Sequence, residues 1–123
     1  MELLDEIFNI NISHNDLVNV LTINHLPRLC NSIDTVISDE KDKGVIYCVW
    51  GQHRINREEI KNGVRFYFPT CPNELALCVT RTQDKISIVC TTNTEITDDD
   101  FIDSIMEFQQ DWVKGTKLIC GYA

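Results

Sequence analysis

The stretch from Gly44 to Thr92 constrains the fold more than any other, because strand-like runs alternate there with turn signals at short intervals. Its sharpest piece is a hairpin: Arg54 to Ile60, then Lys61-Asn62-Gly63, then Val64 to Phe68. Asn-Gly between two strand-like runs predicts a type I′ turn, since both residues accept the positive φ that such a turn demands. Val45 to Trp50 opens the meander and is apolar on both parities, which predicts a strand that is central in the sheet or covered on both faces. Gly51 marks a bend before the hairpin. Pro69-Thr70-Cys71-Pro72-Asn73 is a stiff loop that two prolines keep out of a central ladder. Glu74 to Arg81, with Leu75, Leu77 and Val79 on one face, and Lys85 to Thr92, with Ile86, Ile88 and Cys90 on one face, complete four or five antiparallel strands.

Helical spacing flanks the meander. Leu3, Leu4, Ile7 and Phe8 predict a helix over 2–9, and Leu17, Val18 and Leu21 a second over 14–22, capped by Ser13 or Asn15. Leu26, Leu29, Cys30, Ile33, Val36 and Ile37 predict a third over 25–38, with Pro27 tolerated in its first turn. After the sheet, Thr97 followed by Asp98-Asp99-Asp100 reads as a hydroxyl cap with carboxylates at the positive end of the dipole. The helix it starts carries Phe101, Ile102, Ile105, Phe108, Gln109 and Trp112 as its inward stripe and stops at Gly115. The expected architecture is a single α+β domain over residues 1–123: N-terminal helices, a four- to five-stranded antiparallel meander and a C-terminal helix, in two layers with the helices on one face.

Charge narrows the partners. The formal net charge of −8 repels nucleic-acid phosphates and anionic membrane surfaces, so neither is an expected partner. No apolar segment approaches the roughly 18 residues a membrane span needs. The acidic start Met1-Glu2-Leu3-Leu4-Asp5-Glu6 lacks the basic and apolar regions of a signal peptide, and a cytoplasmic location is expected. In that compartment the six cysteines are expected as free thiols, with Cys48, Cys78 and Cys90 in the core.

Between Ile86 and Val113 there is no lysine or arginine, yet Glu95, Asp98, Asp99, Asp100, Asp103, Glu107 and Asp111 all fall there. Asp100, Asp103, Glu107 and Asp111 follow three-four spacing opposite the apolar stripe and form one acidic ridge, which Asp99 extends. Like charges at that spacing repel, so the ridge suits docking of a basic surface, although a solvated outer face is the ordinary fate of such residues. The leading expectation is a small acidic binding protein, most concretely an immunity-type inhibitor that masks a basic toxin nuclease through Asp99, Asp100, Asp103, Glu107 and Asp111. An acidic secretion chaperone or adaptor has the same charge and size.

A second class is a small-ligand-binding protein or cysteine-dependent enzyme with a pocket between sheet and helices, whose polar lining is expected from Cys71, His53 and Arg54. No Gly-rich phosphate loop, Walker motif or G-x-S-x-G is present, and no local signature ties Cys71 to a histidine, which leans against catalysis. No cofactor or metal is expected. Cys71, Cys78 and Cys90 lack the close pairing of a zinc site, and Asp98-Asp99-Asp100 lacks the alternation of a calcium loop. The basic residues Arg54, Arg57, Lys61 and Arg65 are interleaved with Glu58 and Glu59 and read as cross-strand charge pairing.

Overall fold

A computed structural model describes residues 1–93 and 96–120. Seven strands form one antiparallel sheet, and the chain order is β1 (Glu2–Ile7), α1 (His14–Val20), a 3-10 turn (Ile23–His25), α2 (Leu26–Leu29), β2 (Ile33–Asp39), β3 (Lys43–Cys48), β4 (Gly51–Ile60), β5 (Gly63–Tyr67), β6 (Ala76–Thr82), β7 (Lys85–Thr91) and α3 (Asp99–Ile119). The spatial order is β1-β7-β6-β5-β4-β3-β2, so six strands run as a simple meander and β1 closes the far edge against β7. The class is α+β, as expected, with two strands more than the meander alone supplies.

Alternation along each strand sorts one face inward. Ile7, Ile86, Ile88, Cys90, Leu77, Val79, Val64, Phe66, Ile55 and Ile46 are all buried, and the register places them side by side. The helices pack on that face: Trp112 of α3 lies against Phe66, with ring centroids 5.6 Å apart, and Gln109 donates its side-chain N–H to the Ile88 carbonyl at 2.9 Å. The opposite face is not covered by any described element. β3 lies inside the sheet between β2 and β4, but Tyr47 is 50% exposed, so of the two expectations for this strand the one of cover on both faces fails.

Two expected helices are strands. In β1 the inward residues are Leu3, Asp5 and Ile7, and the carboxylate in the middle hides the alternation; it is held there by Gln109 Nε2–H at 3.0 Å and Gln110 Nε2–H at 3.3 Å. The expected 25–38 helix lasts one turn and gives way to β2. Ile33, Thr35, Val36 and Ile37 are β-branched and favour a pleated surface over a helix. Register shifts between Ile33 and Thr35 and between Val36 and Ser38 break the period of two, which is why the apolar spacing imitates a helix. The 14–22 helix stands as α1, and Ser13 caps it by accepting the Asp16 N–H at 3.1 Å.

Turn details shift as well. The loop of the central hairpin is Lys61-Asn62, of which only Asn62 has positive φ (68°), so the type I′ expectation fails. Gly63 opens β5 instead, and a Cβ there would collide with the Val79 carbonyl. The cap of α3 is Asp98, one residue later than Thr97; its carboxylate accepts the N–H of Asp100 at 3.0 Å and of Phe101 at 3.2 Å. The helix also runs through Gly115 to Ile119.

Candidate functional site

Three connections converge at one end of the sheet. The β3–β4 link is only Val49-Trp50, because Cys48 pairs with Gly51. Gly51 takes φ of 95°, a conformation that L side chains avoid, and so lets the chain reverse in two residues. Trp50 is thereby carried to α3. Its indole N–H donates to Ser104 Oγ at 2.9 Å, and the Ser104 hydroxyl donates to the Phe101 carbonyl at 2.7 Å. The polar edge of the indole is thus bound to the helix, and its ring meets Phe108 (5.1 Å), Phe101 (5.8 Å) and Phe68 (6.2 Å). The Phe101 and Phe68 contacts are edge-to-face, the geometry ring quadrupoles prefer.

The second connection is the stiff loop after β5. The Cys71 N–H donates to the Phe68 carbonyl, and the Glu74 N–H to the Cys71 carbonyl, both at 3.1 Å, so two turns fold the loop back to Leu75. The third is the start of α3, where Asp98 is turned to its own helix and Phe101 projects one turn inward. Between them lies a cleft of about 510 Å³. Trp50, Phe68 and Phe101 form its aromatic walls, with Leu75 and Ile96 as aliphatic ones. His53, Cys71, Asn73, Thr97 and Asp98 bring its polar atoms, and no lysine or arginine lines it.

His53 and Cys71 therefore share the cleft, as expected for the second functional class, and Arg54 does not. His53 points inward opposite Ile46, and the neighbouring residue of a strand faces the other way, so Arg54 lies exposed on the open face. Burial pushes the Cys30 and Cys90 thiols up to about 12 and Cys120 to about 11, and raises Cys48 and Cys78. All five are kept protonated and inert at neutral pH. Cys48 and Cys90 are core thiols as expected, whereas Cys78 is half-buried on the open face. Cys71 is half-buried in the cleft wall. A cysteine nucleophile needs a base within hydrogen-bond reach; no hydrogen bond joins the Cys71 thiol to His53. Among the described residues no group of three or more His, Cys, Asp and Glu is placed to hold a metal ion.

The ridge residues lie on the outside of α3. Asp99, Asp100, Asp103 and Glu107 are exposed, and Met106, 52% exposed, sits among them. Asp111 is different: it is half-buried and accepts the Ser32 hydroxyl, so it fastens α3 to the chain just before β2. Glu95 lies outside the described residues. No helix among the described residues is long and apolar enough to cross a membrane. Sequence reasoning missed Trp50, Phe68 and Phe101 as a set, because they come from three separate segments. The one signal was indirect: each aromatic flanks a turn or a cap. Comparison with protein-family models, with curated proteins and with solved structures returned no match.

Proposed function

We propose that this protein binds a small aromatic or apolar molecule in the cleft between the end of the sheet and the first turns of α3. The observation that carries the reading is a cavity of about 510 Å³ walled by three rings from three different segments. Ligand sites are commonly concave, mostly apolar and of this size, with a few converging polar groups. The test uses Cys71 as a reporter in the wall. Millimolar 4-ethylphenol, or its methyl ether 4-ethylanisole, is expected to slow alkylation of Cys71 by iodoacetamide several-fold in the wild type, and Phe101→Ala to relieve that protection. If neither compound protects Cys71, the reading is wrong.

A second reading rests on the ridge. The carboxylates of Asp99, Asp100, Asp103 and Glu107 are exposed with no hydrogen bond or ion pair to another described residue, which suits α3 to docking a basic protein, as an immunity-type inhibitor or an adaptor does. Asp111 is left out of the test because it is engaged with Ser32. Asp103→Lys with Glu107→Lys is expected to keep stability within about 0.5 kcal/mol per exposed site. It should also abolish any salt-sensitive retention of a basic protein that the wild type shows. Retention unchanged by the reversal would remove the ridge as the interface.

A further inference from the structure

The geometry points to His53 as the residue that selects the occupant of the cleft, in favour of a neutral aromatic molecule that carries a hydrogen-bond donor, such as a phenol. The inference rests on the cleft being a ligand site. His53 Nε2 lies 3.0 Å from the carbonyl oxygen of Trp50. A carbonyl can only accept, so Nε2 carries the proton, and in the neutral ring Nδ1 is left as a bare acceptor. No described residue pairs with Nδ1. The ring is held from a second side by Phe68, edge-on at 6.0 Å and 65°, so its orientation is fixed before anything binds.

An occupant that displaces water from this nitrogen must replace the lost hydrogen bond, because a buried acceptor without a partner is costly. The wall holds other acceptors, which His53→Phe leaves in place. Asp98 Oδ1 already accepts two backbone N–H groups, its Oδ2 belongs to an exposed residue, and the main-chain carbonyl of Asn73 accepts the Asn93 N–H at 3.0 Å. Charge disfavours an anionic occupant. With no cation in the wall, Asp98 in it, Asp99 and Asp100 beside it and a net charge of −8, a carboxylate-bearing ligand is repelled. A neutral donor on a planar ring satisfies His53 and extends the edge-to-face packing of Trp50, Phe68 and Phe101.

The probes are 4-ethylphenol and 4-ethylanisole, which share the ring and differ in the donor. Dissociation constants come from ligand-observed NMR on the intact chain. The phenol is expected to bind wild type about fivefold tighter than the ether, the value of one neutral hydrogen bond. His53→Phe, which keeps a ring against Phe68, should bring the two constants together. Equal binding of both probes to the wild type would overturn donor selection while leaving the cleft as a ligand site. A preference that survives His53→Phe would remove His53 as its source. Binding of neither probe would overturn the cleft reading and this inference with it. The wild type alone supplies a second readout should the variant not fold: the ¹⁵N resonance of His53 Nδ1 is expected to move upfield with the phenol and not with the ether. An unmoved resonance overturns the assignment.

Discussion

Arg57→Met is expected to destabilise the protein by about 3 kcal/mol, a loss out of proportion to one side chain on a ten-residue strand. Arg57 sits on the inward face of β4, opposite Phe66, and is only 7% exposed. Its guanidinium donates Nε–H to the Leu21 carbonyl at 2.6 Å and Nη2–H to the Val18 carbonyl at 3.0 Å. Those carbonyls end α1, where the helix itself has no N–H left to offer. A cation there also opposes the negative end of the helix dipole. The arginine thus fastens α1 to the middle of the sheet, and methionine would fill the space while leaving the carbonyls without a donor. Arg57→Lys should recover part of the loss, because an ammonium supplies the charge but not the two-point fork. Glu59→Gln should cost less than about 0.5 kcal/mol, since that carboxylate is 64% exposed and 3.5 Å from the guanidinium. Urea denaturation of the three variants separates these effects. If Arg57→Met proved as mild as Glu59→Gln, α1 would be held by its apolar face alone.

Arg57 also shows what a sequence hides. Among Arg54, Lys61 and Arg65 it reads as one member of a cross-strand charge set, and Arg65 does pair with Glu58 at 3.1 Å. That Arg57 faces the helices follows from parity, but its use as a helix anchor follows only from where α1 ends. The legible parts were those whose signal is local. The period of two in β5, β6 and β7 and the period near 3.6 in α3 each come from one segment meeting one apolar face. Asp5 defeated the same logic in β1, and the two bulges defeated it in β2. The cleft was least legible of all. His53 and Cys71 could be nominated as residue types, but three aromatic walls from a β-turn, a strand end and a helix start become one site only through long-range packing. The ridge was read correctly as a helix face, and only a tertiary contact with Ser32 separates Asp111 from its neighbours.

Gly115→Ala is expected to cost about 2–3 kcal/mol, although alanine is the better helix former by about 1 kcal/mol. Glycine late in an amphipathic run ordinarily marks the stop, yet α3 continues through Gly115 for four more residues. The reason lies across the interface. A Cβ at Gly115 would stand 2.0 Å from the Leu29 carbonyl oxygen and 2.7 Å from that of Arg28, so the missing side chain is what lets the end of α2 rest against the backbone of α3. These obstacles are main-chain atoms that cannot rotate aside, and relief requires the two helices to part. Parting them would loosen Leu26, Leu29 and Cys30, all fully buried, together with the Cys30 thiol that reaches the Phe108 carbonyl at 3.8 Å. Phe108 packs directly on Trp50, so the strain runs along α3 to the wall of the cleft. Two readings of one glycine are thereby separated by measurement. If Gly115 were an unhindered interior residue of the helix, alanine would raise the denaturation midpoint. If it is a contact point, the midpoint falls and the affinity for 4-ethylphenol weakens with it.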